Sequence, residues 1–450
     1  MKLVISRRTF IKGGAAITLP TLIPASAFGA NERLTVGVIG TGGRSEFLLR
    51  IVRDTKLNIA AICDVDTQRI RRIREMHPDL GAACVQYSDY RELLDKRNDV
   101  DAVIVATPDH WHTVICKHAI ETGKHIYCEK PLTRTVAEAR ELRQLAHAHT
   151  NLITQTGNQG TSSIPYRRSV DILRSGLIGS VRDVVGALKY QANAITAPVG
   201  ADPIPEELNW DFWCGPSSLR DYKKGIYHPF KWRHWYDFGG GVLSDFGSHI
   251  FPVAMEGLQL GDSERIDIKG EGLGMDGIPI WAQVNWHYPV RGTLPPVTLQ
   301  FCFGKGHGTP PEKMVAPLKE TFGAMRDGIM LFGDKGTLFL GPWNSEAYIK
   351  FNDEPKFKGI ANHPAVKAVP ELLPKPPVGG HVQAWVDGIR TGKQTYSSFD
   401  FGARLAELAN LGVVACRTGN GFNWDGAKMM ADDAQAMKFI SQQNRKCNWL

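Results

Sequence analysis

Apolar runs and helical segments alternate along the first third of the chain after residue 33. RLTVGVIG (33–40) is almost continuously apolar, as in a strand covered on both faces, and SEFLLRIVRD (45–54) has helical spacing. A second apolar run, LNIAAICDVD, follows at 57–66. The alternation continues with predicted strands at 101–106 and 125–128, separated by a helix. Strands that alternate with helices predict an α/β fold with a doubly wound parallel (Rossmann) sheet.

The pattern changes after residue 250 to short strand-like runs separated by glycine and proline, which favours a mostly antiparallel sheet. Two later amphipathic segments, 379–393 and 400–419, predict helices that pack back on the first domain. We therefore expect a Rossmann domain at 31–155 and a second, α+β domain at 156–450. The strand-like runs are RIDIKGEG, WAQVNWHY, VTLQFCFG and GIMLFGDKGTLFLG.

Residues 1–30 resemble an export signal rather than a fold element. They contain Arg7 and Arg8 within S-R-R-T-F-I-K, which resembles a twin-arginine motif. The apolar run after it is interrupted by Pro20 and Pro24 and is too short to span a bilayer. A chance basic leader is the alternative. The motif predicts export of a folded protein to the periplasm or elsewhere outside the cytoplasm.

Charge, hydropathy and cysteine content give no indication of nucleic-acid binding, of a membrane span or of a structural metal. The formal net charge of the 450 residues is +7, but four basic and no acidic residues lie in the leader, which leaves only +3 for the rest. This weak charge gives no indication of nucleic-acid binding. No later segment is apolar enough to predict a membrane span. The eight cysteines form no C-x-x-C pair, so we expect buried thiols, with one bridge left open, and no structural metal.

The turn between the first strand and helix contains a glycine-rich segment that suits a dinucleotide. Such a turn leaves room for a pyrophosphate, whose charge is met by free amide N–H groups at the helix start. Position 45, where G-x-G-x-x-G has its third glycine, is Ser45. A glycine turn that binds nothing is the alternative. The predicted cofactor-binding residues of the turn are Gly40, Thr41, Gly42, Gly43 and Arg44.

The second apolar run ends in Asp64, 24 positions after Gly40. This spacing places a carboxylate where it would bind a ribose 2′-hydroxyl and repel a 2′-phosphate. NAD is therefore favoured over NADP. Arg44 keeps NADP open, because its guanidinium could reach the adenosine side.

The next strand ends carry further polar residues at the edge where ligands gather. His110 and His112 have an i, i+2 spacing, but without a third ligand in a recognisable motif we predict no metal site. The predicted cofactor-binding residues at these ends are Thr107, Pro108, Trp111, His112, Glu129 and Lys130.

Four segments, GVIGTGGR, ATPDHWH, GKHIYCEKPL and GGGVLSDFGSH, resemble the Gfo/Idh/MocA family of oxidoreductases, in the family's order. The resemblance implies a Rossmann domain followed by an open, mostly antiparallel sheet that covers the nicotinamide, and substrates that are sugars or cyclitols. It implies catalytic roles for the lysine of E-K-P, Lys130, and for Asp245 and His249 of D-x-G-x-H. It also implies that Asn158 approaches the nicotinamide ribose or amide.

Oxidation of a secondary alcohol requires a base beside the hydroxyl, and histidine suits this by its intrinsic pKa. Lys130 could stabilise the developing oxygen charge, and Asp245 could orient the imidazole of His249 or bind a sugar hydroxyl. Each residue also has a structural alternative. His249 could be a core histidine, Asp245 the N-cap of a helix over SHIFPVAMEGL, and Lys130 a surface charge.

The segment FKWRHWYDFGGG (230–241) combines aromatic rings with Arg and His. Aromatic faces stack on sugars, while Arg and His donate hydrogen bonds to hydroxyls or a carboxylate. We predict substrate binding by Trp232, Arg233 and His234, with an aromatic core cluster as the alternative. The long proline-containing stretch between 185 and 230 is expected to line the substrate entrance.

Two functions remain open at this point. The first is an NAD-dependent dehydrogenase acting on a secondary hydroxyl of a carbohydrate or cyclitol, with the cofactor tightly held. The second is a redox-neutral glycosidase resembling glycoside hydrolase family 109, which has a Y-P-T-H-like segment where this chain has DFGSH. A non-catalytic cofactor-binding relative is a third possibility. An open sheet face needs a cover, so we expect a homo-oligomer, a dimer or tetramer.

Overall fold

The computed structural model describes residues 33–190, 198–304, 308–441 and 444–446. The predicted twin-arginine leader at 1–30 and Cys447 lie outside the described residues. Seven cysteines fall within the described residues, and each is a buried free thiol: Cys63, Cys84, Cys116, Cys128, Cys214, Cys302 and Cys416.

Six strands form the first sheet, and every pair of neighbours is parallel. They are β1 (Thr35–Ile39), β2 (Asn58–Cys63), β3 (Val85–Tyr87), β4 (Ala102–Val105), β5 (His125–Cys128) and β6 (Thr154–Thr156), in the order β3-β2-β1-β4-β5-β6. The intervening helices are α1 (Gly43–Asp54), α2 (Thr67–Met76), α3 (Tyr90–Lys96), α4 (Asp109–Glu121) and α5 (Val136–Ala148). This confirms the doubly wound parallel sheet, whose order reverses between β1 and β4, where such folds bind ligands.

Ten strands form the second sheet. They are β7 (Val181–Leu188), β8 (Arg265–Glu271), β9 (Trp281–Tyr288), β10 (Val297–Gly304), β11 (Gly328–Gly333), β12 (Gly336–Leu340), β13 (Ala347–Phe351), β14 (Lys358–Gly359), β15 (Phe422–Asp425) and β16 (Met430–Ala431). Their order is β14-β13-β12-β11-β7-β10-β9-β8-β15-β16. Only the β7–β10 pair is parallel, which confirms the mostly antiparallel sheet.

The remaining helices connect and cover the two sheets. They are α6 (Ile164–Arg174), α7 (Trp210–Cys214), α8 (Gly241–Ile250), α9 (Pro252–Gly257), α10 (Glu312–Phe322), α11 (Pro364–Lys367), α12 (Gly380–Thr391), α13 (Phe399–Thr418) and α14 (Ala434–Ile440). Apolar residues of α12, including Trp385, share a core cluster with β1 and β4. Helix α13 contacts both α5 and α8, so it links the cores beneath the two sheets. Among the described helices, none is long and apolar enough to cross a membrane.

Candidate functional site

A cavity of about 630 Å³ lies at the carboxyl ends of the first sheet's strands. Its wall combines the glycine turn after β1, Asp64 after β2, the loop after β4 and the E-K-P segment after β5 with residues that follow β6 in the chain. The predicted site residues on this wall are Gly40, Gly42, Gly43, Arg44, Asp64, Thr107, Pro108, Trp111, Glu129, Lys130, Trp232, Arg233 and His249.

The glycine turn has the shape that a pyrophosphate needs. Gly40 has a φ of +88°, and a Cβ there would lie 2.7 Å from the backbone of Ala106 and Thr107. At Gly42 and Gly43 a Cβ would meet nothing within 4 Å, so the turn faces open space at the start of α1. Ser45 stands where the fingerprint has its third glycine, and its buried hydroxyl donates a hydrogen bond to the carbonyl of Gly40. The turn therefore fits the phosphates of a dinucleotide.

Asp64 is held in place by the glycine turn. Its Oδ2 accepts hydrogen bonds from Thr41 N at 2.7 Å and Thr41 Oγ1 at 3.1 Å, and its Oδ1 accepts one from Asp66 N at 2.9 Å. Burial raises the pKa of Asp64, against the effect of these hydrogen bonds. Thr41 thus orients Asp64 rather than lining the cavity. The geometry fits a carboxylate that accepts from a ribose diol.

Arg44 is directed away from Asp64. Its Nε lies 2.7 Å from Glu129 Oε1, at the end of β5, whereas Asp64 follows β2 on the other side of β1. The Arg44 ion pair therefore lies on the β5 side of the glycine turn. Arg69 follows β2 and also lines the cavity, and its Nε lies 3.7 Å from Asp66 Oδ2.

Lys130 and Asp245 form a partly buried ion pair. Lys130 Nζ donates a hydrogen bond to Asp245 Oδ1, and it lies 3.2 Å from the Asp245 carbonyl oxygen. Burial would raise the pKa of Asp245, but the charges of Lys130 and Arg233 outweigh burial and lower that pKa. Asp245 lies inside α8 and not at its N-cap, because the helix begins at Gly241. The pair joins the E-K-P segment to α8.

His249 follows Asp245 by one helical turn and lines the cavity. The ring of Trp343 meets its imidazole at a centroid distance of 4.6 Å and an angle of 64°. Within the described part of the chain, neither ring nitrogen has a hydrogen-bond partner. Burial, reinforced by the charge of Lys130, lowers the pKa of His249 well below its ordinary value. The imidazole is therefore neutral and can accept a proton or a hydrogen bond from a ligand.

Two predicted cofactor residues do not line the cavity but hold its loops. His112 is buried, its ring nitrogens lie 2.8 Å from the Pro131 carbonyl oxygen and 3.0 Å from that of Thr107, and burial lowers its pKa to about 4. Asn158 donates from Nδ2 to the Ser248 carbonyl at 2.6 Å. The Asn158 side chain thus ties the end of β6 to α8, and its approach to the nicotinamide stays a prediction.

His234 and His110 also have structural contacts. His234 Nε2 lies 2.5 Å from the hydroxyl of Tyr190, and His234 does not line the cavity as predicted. His110 Nε2 lies 2.9 Å from the Trp213 carbonyl oxygen. In the described part of the chain, no group of three or more His, Cys, Asp or Glu side chains could hold a metal ion.

The aromatic segment at 230–241 contributes both to a core cluster and to the cavity wall. Trp235 and Phe238 are fully buried in a cluster with Trp213, so this part is core. Trp232 belongs to the same cluster but also reaches the cavity wall. The guanidinium of Arg233 lies over the Trp232 ring, with its carbon 4.1 Å from the ring centroid.

Several cavity residues were missed by the sequence analysis. The stretch expected at the substrate entrance contributes Phe212, Trp213, His228, Pro229 and Phe230 to the wall, and His228 Nε2 lies 2.9 Å from Asp66 Oδ2, on the Asp64 side. Gln159, Gly160 and Trp343 also line it. Asp109 belongs to the segment ATPDHWH, but no feature of the sequence distinguished it as a cavity residue. It is only 4% exposed and lines the cavity.

Asp109 is expected to lower the stability of the unliganded protein as the pH rises. Burial raises its pKa to about 8, against the attraction of Arg233. Between the carboxyl's ordinary pKa and this value, the unfolded chain ionises while the folded protein stays protonated, so stability is lost over that window. We expect Asp109→Asn to increase the free energy of unfolding at pH 8 by roughly 2–4 kcal/mol over wild type, and by far less at pH 5. The denaturant midpoint should rise accordingly.

Urea unfolding of both proteins at the two pH values checks this expectation. Asp54→Asn, which changes an exposed carboxylate, is the matched control and should shift neither midpoint. A gain for Asp109→Asn that is equal at pH 5 and pH 8 would contradict an uncharged Asp109.

Two family models match the chain. The NAD-binding Rossmann-fold domain of the Gfo/Idh/MocA oxidoreductase family matches residues 34–156, and that family's C-terminal α/β domain matches residues 183–293. The first domain is thus an NAD-binding domain.

The similar proteins come from two classes of enzyme. Glycosyl hydrolase family 109 protein 2 of Shewanella sp. (strain ANA-3) is 32% identical over 184 residues, which are 38% of this chain and 39% of that protein. The chain thus spans about two fifths of that relative's length.

The solved structure of levoglucosan dehydrogenase with NADH and levoglucosan has a TM-score of 0.59 and 17% identity, over 87% of this chain and 99% of that one. The structure of the aldose-aldose oxidoreductase of Caulobacter crescentus has a TM-score of 0.57 and 15% identity, and the match covers 87% of this chain and 100% of that one. At such identities the structures show a shared fold.

Proposed function

This chain belongs to the Gfo/Idh/MocA oxidoreductase family, and we propose that it transfers hydride between a tightly held NAD and a secondary hydroxyl of a sugar, glycoside or cyclitol. The observation that carries the proposal is the meeting of Lys130 with Asp245, beside a neutral His249, on the cavity that also contains the glycine turn. A proton acceptor and a cation on one wall are what alcohol oxidation requires.

Bound NAD supplies the hydride acceptor, and the glycine turn and Asp64 are the residues that would hold it. The chain's own residues handle the proton. His249 accepts the hydroxyl proton of the substrate, because its ring is neutral and has no hydrogen-bond partner among the described residues. Lys130 donates a hydrogen bond to the same oxygen as negative charge develops there. Asp245 accepts a hydrogen bond from the ammonium of Lys130 and orients it at the wall.

A redox-neutral glycosidase is the second candidate, and the identity to glycosyl hydrolase family 109 proteins favours it. In that reaction the hydride returns to the sugar after the aglycone leaves, so no reduced cofactor accumulates. DFGSH in place of a Y-P-T-H-like segment favours the dehydrogenase.

One experiment separates the two candidates. Protein purified without added cofactor is mixed with NAD and a panel of sugars, cyclitols and nitrophenyl glycosides, while absorbance at the NADH band and sugar products are followed together. We expect NADH to accumulate in proportion to the oxidised product. Released nitrophenol without NADH would instead establish the glycosidase, and neither signal from any substrate would contradict both candidates.

We further propose that the protein is exported through its twin-arginine leader and acts as a homo-oligomer. The support is the S-R-R-T-F-I-K motif and the ten-stranded sheet, whose open form needs a cover. Fractionation of cells that express Arg7→Lys/Arg8→Lys protein tests the first, and light scattering of the purified protein tests the second.

A further inference from the structure

Arg233 presents a guanidinium with spare hydrogen-bond donors to the cavity. Its charged group lies 4.1 Å from the centroid of Trp232 and 4.8 Å from that of Phe230. Nη1 donates to the Phe230 carbonyl at 3.3 Å, and this is its one hydrogen bond to a described residue. An arginine has five N–H donors, so the fork of Arg233 remains available to a ligand. The aromatic rings hold its plane in place.

The nearby carboxylates do not cancel the combined charge of Lys130 and Arg233. Asp245 Oδ2 lies 3.9 Å from Arg233 Nε, too far for a hydrogen bond, and Asp245 is already bonded to Lys130. Asp109 also faces this region, but burial raises its pKa to about 8 and keeps it uncharged at neutral pH. Glu129 is paired with Arg44. Lys130 and Arg233 together therefore leave one positive charge in excess.

We propose that the substrate is a sugar acid, and that Arg233 binds its carboxylate while Lys130 and His249 act on a hydroxyl. This deepens the proposed function and rests on it. A planar carboxylate matches the guanidinium fork with two parallel hydrogen bonds. If a neutral sugar filled the site, the Arg233 guanidinium would be left without a charged partner. This costs binding free energy once water is excluded. The exposed edge of Trp343 and the Trp232 ring remain for the sugar's C–H face.

The test compares matched substrates and direct binding. NAD-loaded protein is assayed with hexuronates and the corresponding hexoses, and binding to the NADH-loaded protein is followed by tryptophan fluorescence, to which Trp232 and Trp343 contribute from the wall. We expect kcat/KM for the preferred hexuronate to exceed that for its hexose by at least about 100-fold. Arg233→Met should remove most of this preference and weaken hexuronate binding, and Arg233→Lys should restore part of it.

Arg50→Gln, which changes an exposed arginine of α1, is the control and should leave kcat/KM unchanged for both the hexuronate and the hexose. Equal kcat/KM for hexuronate and hexose would overturn the proposal. So would equal losses on both substrates in Arg233→Met, or tighter binding of a hexose phosphate than of the hexuronate. If no compound is oxidised but hexuronate binding still depends on Arg233, the proposed reaction fails while carboxylate recognition stands.

Discussion

Lys130→Met is expected to reduce kcat by about 10³-fold or more while NAD affinity changes little, because removal of a preorganised charge at the reacting oxygen is worth several kcal/mol. Lys130 lies on the cavity wall beside His249, whereas the phosphates are expected at the glycine turn. Methionine keeps the length of the side chain but removes the ammonium. Steady-state turnover and a fluorescence titration with NADH measure the two quantities. A kcat within tenfold of wild type would contradict the proposed role.

The partner of Lys130 adds a second expected effect of the same substitution. Without Lys130, Asp245 is a partly buried carboxylate with only the more distant Arg233 to balance its charge. A partly buried charge that loses its hydrogen-bonded partner destabilises the fold, so Lys130→Met should also lower the melting temperature. Adding Asp245→Asn should restore stability but not turnover. Lys117→Met, at an exposed surface ion pair, is the control and should leave both quantities unchanged.

The parts of the fold that could be predicted are those whose pattern is local. Strands β1, β2, β4 and β5 are covered on both faces and appear as continuous apolar runs, and glycine and proline separate the later strands. β7 was missed, because the charged residues Arg182 and Asp183 interrupt its apolar run and its partners β10 and β11 follow more than a hundred residues later. No local pattern indicates which distant strands will pair.

The site could be predicted only as far as residue types and order allow. The Lys130–Asp245–His249 set follows from motifs, but the direction of a side chain does not. Arg44 turns to Glu129 because that carboxylate ends β5, and this proximity exists only after the sheet forms. Asn158 and His112 are polar residues at the expected edge, yet nearby carbonyl groups occupy their donors. Whether a polar side chain faces the ligand or supports a loop depends on such backbone partners.

His249→Asn is the second substitution with a large expected effect, a loss of about 10²–10⁴-fold in kcat/KM, the usual contribution of a positioned general base. Asparagine keeps a polar group near Trp343 but cannot accept a proton at neutral pH. NADH binding should change little, because His249 belongs to α8 and not to the glycine turn. His149→Asn, remote in sequence from these motifs, is the control and should keep full activity.

The pH dependence of kcat/KM tests the same residue independently. Burial and Lys130 lower the pKa of His249 well below its ordinary value, so the folded enzyme holds the neutral, proton-accepting form throughout the neutral range. Activity for alcohol oxidation should therefore fall only at a pH below the ordinary histidine pKa of about 6.5. The acidic limb should be absent from the residual activity of His249→Asn. An acidic limb centred at or above that value in the wild type, or one that survives the substitution, would show that another group accepts the proton.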